Sequence, residues 1–208
     1  MDIRFRKSII LLVLLALLAQ GNIAVCSDLY WEELKRAAEV IRTIKADFVQ
    51  TKQLEILEAP LTSRGRFCYK APDLLRWEYA YPLKNVMLKQ GNKIHVYQFQ
   101  GGAWKPDLSQ TLEVRGIIFA EINRWLKGRF DKAGGFAPSY FSGPPVRITL
   151  TPSDEFKRFL NRIELVFSER PGLIRSLEII ESEEAKTRIE FTNIEINIVI
   201  PIGIFETP

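Results

Sequence analysis

Few side chains in this 208-residue sequence could carry out chemistry. The chain has one histidine, His95, and two cysteines, Cys26 and Cys68. Cys68 and His95 could form a nucleophilic pair, but no third group that would orient the histidine is indicated. The sequence has no zinc-ligand spacing, no glycine-rich phosphate loop and no Gly-x-Ser-x-Gly elbow. We therefore expect no catalytic residue, no metal site and no cofactor, and a binding protein rather than an enzyme.

Large aromatic side chains are instead concentrated in the stretch Gly65–Tyr81. The sequence Ala71-Pro72-Asp73 interrupts this stretch, because proline fixes its own backbone angle and restricts the residue before it. Alternation on both sides of this turn predicts two strands with one shared apolar face, formed by Phe67, Tyr69, Leu75, Trp77 and Tyr79. A face this aromatic either fills a core or lines a cavity for an apolar ligand.

The start of the chain is typical of a secretory signal peptide. Basic residues precede an unbroken apolar run of 11 residues, Ile9–Ala19, which is shorter than the about 20 residues of a membrane span. Cleavage could follow Gly21 or Cys26, and Cys26 could alternatively be a lipoprotein acylation site. We assign residues 1–26 to the signal peptide and residues 27–208 to a single exported domain.

Composition limits the remaining possibilities. The net charge of +4 falls to +2 when residues 1–26, with three basic side chains and one acidic side chain, are removed. The sequence has no basic stripe with interleaved aromatics, so it does not predict nucleic-acid binding. If Cys26 leaves with the signal peptide, Cys68 is the only thiol, so the core must hold the fold without a disulfide.

The chain predicts a mainly β (α+β) fold in which an antiparallel sheet is built from consecutive hairpins. An amphipathic helix is expected at Ser27–Ile44, and a second helix, apolar over more than a narrow stripe, at Gly116–Lys127. Two loops are expected, Gly101–Ser109 and Asp131–Pro145. If the sheet curls, the second helix can close over its apolar face as a lid above a cavity. The alternative is that side chains fill this interior completely. The remaining strands are expected at Ala46–Leu57, Asn85–Lys89, Lys93–Gln98, Val146–Thr151, Asn161–Glu169, Ile174–Glu181 and Arg188–Ile200.

Short motifs in a fixed order resemble the LolA family of outer-membrane lipoprotein carriers. The resemblance is strongest from Phe48 to Tyr97 and covers nearly the whole chain after the signal peptide. Its motifs are Asp47-Phe48-Val49-Gln50-Thr51-Lys52, Gly65-x-Phe67, Lys70-Ala71-Pro72-Asp73-Leu74-Leu75-Arg76-Trp77-Glu78-Tyr79, Pro82, Gln90-Gly91-Asn92-Lys93, Val96-Tyr97, Leu150-Thr151-Pro152 and Phe159-Leu160-Asn161-Arg162-Ile163.

The resemblance implies an unclosed antiparallel β-barrel with a helical lid over an apolar cavity. It implies a monomeric periplasmic carrier that accepts acylated lipoproteins from an inner-membrane ABC transporter and delivers them to an outer-membrane receptor lipoprotein. Two alternatives use the same fold: a carrier of another lipid or glycolipid, and a receptor resembling LolB that is anchored to the outer membrane through Cys26.

The resemblance also implies the residues of the site. Family members often have an arginine before the proline of the aromatic stretch, where it can bond to the lid. Ala71 stands there in this chain, so Arg76 or Arg64 is expected to close the lid instead, with Lys70 as a further candidate. The acyl chains are expected to contact Phe48, Phe67, Tyr69, Leu75, Trp77, Tyr79, Val86, Leu88, Ile94, Val96, Ile117, Ile118, Phe119 and Ile122.

Overall fold

The computed structural model describes residues 31–107, 112–129, 135–141 and 143–208. The predicted signal peptide and its cleavage sites lie outside the described residues. In the part that the structure describes, no helix is long and apolar enough to cross a membrane.

Eleven strands form one antiparallel sheet, which confirms the predicted fold class. The strands of the first half are β1 (Thr43–Gln53), β2 (Leu61–Lys70), β3 (Leu74–Tyr81), β4 (Asn85–Gln90), β5 (Lys93–Gln100) and β6 (Ala103–Pro106). Those of the second half are β7 (Phe136–Phe141), β8 (Arg147–Pro152), β9 (Arg162–Phe167), β10 (Ile174–Ile180) and β11 (Lys186–Ile196).

The order of the strands across the sheet explains its shape. Each half is a meander, and the halves join where β1 pairs with β11, so β6 and β7 form the two edges and the sheet is not closed. In the part of the chain that the structure describes, two helices accompany it: α1 (residues 31–39) and α2 (Leu112–Trp125). A short 3₁₀ helix, Ile202–Phe205, follows the last strand.

The main core lies between one face of the sheet and the helices. It contains Leu34 of α1, Phe119, Ile122 and Trp125 of α2, and inward side chains from both halves of the sheet. The two helices meet at Gly128, just after α2, where an added Cβ would lie 2.9 Å from the backbone oxygen of Lys35. We call this covered face the inner face of the sheet.

Two hairpins follow directly from the sequence. Gly91 adopts a left-handed backbone (φ 57°) in the predicted turn between β4 and β5, a conformation that glycine reaches at little cost. The turn at Ala71-Pro72-Asp73 separates β2 from β3, and Phe67 pairs with Trp77 as the predicted shared face requires.

Several predicted boundaries are wrong. Helix α1 ends at residue 39, and Ile44 belongs to β1, because its backbone pairs with strands on both sides. β1 ends at Gln53, short of Leu57. β11 ends at Ile196, short of Ile200. Both predicted loops contain a strand, Ala103–Pro106 and Phe136–Phe141, which pairs with its neighbour at an edge of the sheet.

The end of the chain packs across the other, outer face of the sheet. Residues 198–207, which we call the strap, bury Ile200 and Phe205 against Cys68. Arg76 Nη1 donates hydrogen bonds to the backbone oxygens of Ile204 (2.9 Å) and Thr207 (2.7 Å), and Lys70 Nζ donates to that of Ile200 (3.1 Å). Side chains of β2 and β3 thus satisfy backbone acceptors that no neighbouring strand could reach.

Candidate functional site

The aromatic stretch divides into a packed part and a cavity wall. Phe48, Phe67, Tyr69, Leu75 and Trp77 are at most 2% exposed. The rings of Phe48 and Phe67 lie 4.6 Å and 5.5 Å from that of Trp77, so they form an aromatic cluster in the core. Val96 is buried in the same core, and Ile94 packs against it. Apart from Trp77, which also lines the cavity beside this core, these residues support the site more than they line it.

A cavity of about 960 Å³ lies between the inner face and α2. It is large for a ligand pocket, since such pockets usually enclose roughly 300–1,000 Å³. Among the residues predicted to bind acyl chains, it brings together Trp77, Tyr79, Ile118, Phe119 and Ile122.

Most of the remaining cavity wall was not predicted. Its apolar part includes Leu61, Leu83, Met87, Phe159, Ile179 and Ile189. Its polar part includes Gln50, Lys52, Thr62, Ser63, Asn85, Glu181 and Thr187. Alternation in β10 and β11, where Leu177 and Ile179 or Thr187 and Ile189 share a face, was the signal that could have found the far wall.

Val86 and Leu88 are on the wrong face for the predicted site. β3 and β4 pair so that Trp77 lies opposite Met87, and Met87 therefore faces the cavity. Val86 and Leu88 lie opposite Glu78 and Arg76 and are buried on the outer face. The β4 sequence is apolar on both faces, so alternation alone could not choose between them. Ile117 falls in α2, but its side chain lies outside those that the structure describes.

A second, small cavity of about 30 Å³ lies under the end of α2. It is bordered by Phe67, Trp125, Leu177 and Phe191, and Ile122 lines both cavities. A space of this size, about that of one water molecule, leaves the underside of the helix short of packing partners. The lid therefore rests on an incompletely filled interior.

The lid is fastened by the turn between β2 and β3, but through an aspartate. Asp73 Oδ1 accepts hydrogen bonds from Lys127 Nζ (2.5 Å) and Asn123 Nδ2 (3.3 Å), at the end of α2. Lys89 Nζ, buried on the inner face, lies 4.0 Å from the same oxygen. We call Asp73, Asn123 and Lys127 the latch.

Neither predicted lid arginine belongs to the latch. Arg76 points to the outer face, where it holds the strap and pairs with Glu78 at 3.0 Å. Arg64 stacks on Tyr81, with its guanidinium 6.0 Å from the ring centre. Lys70 also bonds to the strap. The physical reason for Lys70 and Arg76 is the register of β2 and β3. Alternate residues of these strands, from Arg66 to Lys70 and from Leu74 to Glu78, face outward.

Two pKa values in and beside the latch, those of Asp73 and Lys89, are shifted. The hydrogen bond from Lys127 holds the pKa of Asp73 below its ordinary value of 3.8, with a further contribution from Asn123. Burial lowers the pKa of Lys89, and the Asp73 carboxylate partly offsets this shift. Asp73 is therefore ionised at neutral pH, and its contribution to lid closure is present above the ordinary aspartate pKa and lost as the pH falls through the lowered value.

Replacing Asp73 with asparagine should loosen the lid without unfolding the protein. Because the Asp73 side chain is 38% exposed, we expect the free energy of unfolding to fall by less than about 1 kcal/mol. We expect a fluorescent fatty acid to enter several-fold faster in stopped-flow measurements. Uptake by the unmodified protein should also accelerate below about pH 4, whereas uptake by the D73N variant should not.

The matched control for the latch is Asp154→Asn. Asp154 accepts a hydrogen bond from Lys157 at 2.7 Å, as Asp73 does from Lys127, but its side chain is 96% exposed and bonds to no residue of α2 in the described part of the chain. Equal uptake rates in the D73N and D154N variants would contradict a latch at Asp73.

The nucleophilic pair that Cys68 and His95 could in principle have formed is not present. Cys68 and His95 lie on the outer face of β2 and β5, with Arg76 and Leu88 of the two intervening strands between them. Three strand spacings separate them by roughly 14 Å. Burial also raises the pKa of the Cys68 thiol, which opposes formation of a thiolate. In the described part of the chain, no three His, Cys, Asp or Glu residues are grouped as metal ligands.

The chain matches a known family in sequence as well as in architecture. A family model described as outer membrane lipoprotein carrier protein LolA matches residues 39–208. The chain belongs to the LolA family. Members of the LolA family are carriers rather than enzymes.

Individual relatives of the LolA family support the assignment at modest identity. An outer-membrane lipoprotein carrier protein of Pseudomonas entomophila is 26% identical over 212 residues, covering 94% of this chain and 92% of the relative. A protein of the same description from Dechloromonas aromatica is 27% identical over 169 residues, covering 79% and 76%.

A solved structure resembles the chain in fold. The crystal structure of MucB superposes with a TM-score of 0.50 at 13% sequence identity. The match covers 89% of this chain and 63% of MucB. At this identity the likeness is evidence of a shared fold and of nothing more specific.

Proposed function

We propose that this protein binds the acyl chains of lipoproteins released from the inner membrane and delivers them to the outer membrane. The observation that carries the proposal is the cavity of about 960 Å³ under a helix that a few polar contacts fasten. Unfilled space between the sheet and the lid lowers the stability of a packed core, so a purely structural role does not explain it.

The chemistry of the wall suits acyl chains. Trp77, Met87, Ile118, Phe119 and Ile122 offer apolar surface, and acyl chains gain about 25 cal/mol for each Å² that they bury there. We assign the contacts to these residues, with Tyr79, Leu61 and Ile189 nearer the polar part of the wall. Phe48, Phe67 and Leu75 hold the Trp77 ring in place from behind.

A carrier must also release its cargo. Free energy spent on opening the lid is subtracted from the affinity, so a lid fastened by an exposed ion pair keeps binding reversible. The latch between Asp73 and Lys127 is of that kind, since both side chains are at least a quarter exposed. An apolar lid packed tightly on the sheet would instead hold the protein closed.

We place the protein in the periplasm, exported by the signal peptide predicted at residues 1–26, and we propose that it acts as a monomer. An inner-membrane ABC transporter would supply the cargo and an outer-membrane receptor lipoprotein would accept it. The names of the relatives, which are outer-membrane lipoprotein carrier proteins, support this assignment.

Depletion of the protein in its own organism tests the proposed delivery. We expect lipoproteins that normally reach the outer membrane to accumulate in the inner membrane, as measured by fractionation and quantitative proteomics. Re-expression of the unmodified chain should restore their distribution. An unchanged distribution after complete depletion would contradict the proposal.

A further inference from the structure

Polar side chains are confined to one end of the cavity. They lie at the end of β1, the starts of β2, β4 and β11, and the turn from β10 to β11. In the pairing of the strands, Gln50 stands opposite Ser63 and Lys52 opposite Thr187, and Glu181 follows the end of β10. We call these five residues the polar ring.

Two members of the polar ring have donors without acceptors. The Tyr79 hydroxyl donates to Gln50 Oε1 at 2.7 Å, which fixes the amide so that its Nε2 group is turned away from Tyr79. Within the described parts of the chain, neither Gln50 Nε2 nor the Ser63 hydroxyl has a hydrogen-bond partner. Both residues line the cavity, so a ligand there meets two N–H or O–H donors and would bind best if it supplied acceptors.

The opposite charges of Lys52 and Glu181, the two charged members of the polar ring, cancel each other. Lys52 Nζ lies 3.2 Å from Glu181 Oε1, and the pair spans β11, which runs between β1 and β10. Each side chain is about one-third exposed, at 34% and 35%. Because the pair is neutral overall and includes a carboxylate, it disfavours a phosphate or a free fatty-acid carboxylate and accommodates an uncharged group.

We propose that the polar ring binds the uncharged ester linkages of an acylated ligand. Gln50 Nε2 and the Ser63 hydroxyl donate to its carbonyl oxygens. The acyl chains then extend from this end toward Met87 and the lid. This assignment rests on the proposed function as a carrier of acylated cargo, and it adds the orientation of the cargo and the chemical group that is recognised.

A pair of synthetic lipopeptides tests the proposal. Both carry the same short peptide on a glycerylcysteine with two sixteen-carbon chains, one joined by ester bonds and the other by ether bonds, which lack carbonyl oxygens. We expect the unmodified full-length mature protein to bind the ester lipopeptide about tenfold more tightly, because two neutral hydrogen bonds to the ester carbonyls are absent with the ether lipopeptide. Displacement of a fluorescent fatty acid measures both affinities.

The double variant Gln50→Leu, Ser63→Ala should remove this preference, so that the ester and ether lipopeptides bind with equal affinity. Circular dichroism checks that the variant is folded, and the single variant Ser63→Ala provides the measurement if it is not. Equal affinities for ester and ether lipopeptides, or a preference that persists in a folded variant, would overturn the proposal. If the unmodified protein binds neither lipopeptide, the proposed carrier function itself fails.

The charge of the polar ring gives a second, separate readout. Glu181→Lys should place two cations at the cavity and increase the affinity for palmitate about tenfold, whereas the swapped pair Lys52→Glu, Glu181→Lys should restore the original affinity. If the affinity for palmitate is the same in both variants as in the unmodified protein, the polar group of the ligand lies elsewhere and the proposal is overturned.

Discussion

Replacing Ile118 with glutamate is expected to abolish the binding of acyl ligands while the protein stays folded. Ile118 is a partly buried side chain of α2 that lines the cavity and packs at the margin of the core. A carboxylate facing an acyl chain in this space loses several kcal/mol of hydration. Since about 1.4 kcal/mol is tenfold in affinity, we expect a loss of at least about 100-fold.

Titration with a fluorescent fatty acid measures this loss, with circular dichroism as the check on folding. The matched control is Val199→Glu, because Val199 is 96% exposed on the strap, across the sheet from the cavity. Similar affinities for the I118E and V199E variants would contradict the location of the binding site under α2. Leu75 would be a poor choice for this test, since it is fully buried in the core and a charge there would unfold the protein.

Replacing Gly65, the one glycine within strands β1–β5, with alanine is expected to destabilise the fold strongly. Gly65 lies opposite Phe48, whose ring covers it. An added Cβ would lie 1.9 Å from the backbone oxygen of Glu78 and 2.5 Å from the ring of Phe48. The strand and the aromatic cluster would both have to move, which we expect to lower the free energy of unfolding by about 3 kcal/mol.

Urea denaturation followed by circular dichroism measures this change. Gly203→Ala is the control, because an added Cβ at Gly203, in the 3₁₀ helix of the strap, meets no atom within 4 Å. We expect the stability of the G203A variant to stay within about 0.5 kcal/mol of the original. A G65A variant as stable as the G203A variant would show that the aromatic cluster is less tightly packed than its distances indicate.

The antiparallel sheet could be predicted because local signals and long-range pairing agree. Alternation in β2 and β3, proline in the turn between them and glycine in the turn at Gly91 all favour consecutive hairpins. The strand Phe136–Phe141 could not be predicted in this way. It contains Pro138 and lies among glycines and prolines, and it forms because β8 offers it an edge.

The cavity itself was harder to predict than the sheet around it. Alternation identifies which residues share a face, but the face of β4 depends on how many residues the turn from Tyr79 to Asn85 contains. A one-residue error exchanges Met87 for Val86 and Leu88. The division between core and cavity depends on how far α2 stands from the sheet, which no local pattern encodes.

The latch lies on the turn where a lid contact was expected, but its groups differ from the expected ones. The expectation of a basic residue on the turn directed attention to Arg64, Lys70 and Arg76, which face elsewhere. The turn instead carries the acceptor, Asp73, and α2 is followed by the donor, Lys127. Asp73 was within the aromatic stretch but carried no periodic signal, and its partner lies 54 residues later in the chain.

The proposed function requires that the cavity holds acylated cargo. Native mass spectrometry of the protein purified from its own periplasm, followed by organic extraction, measures this most directly. We predict a one-to-one complex with an acylated lipoprotein, which the I118E variant purified in parallel should lack. A protein that is recovered empty and takes up no fluorescent acyl probe would contradict the account, because the space under α2 would then have no ligand.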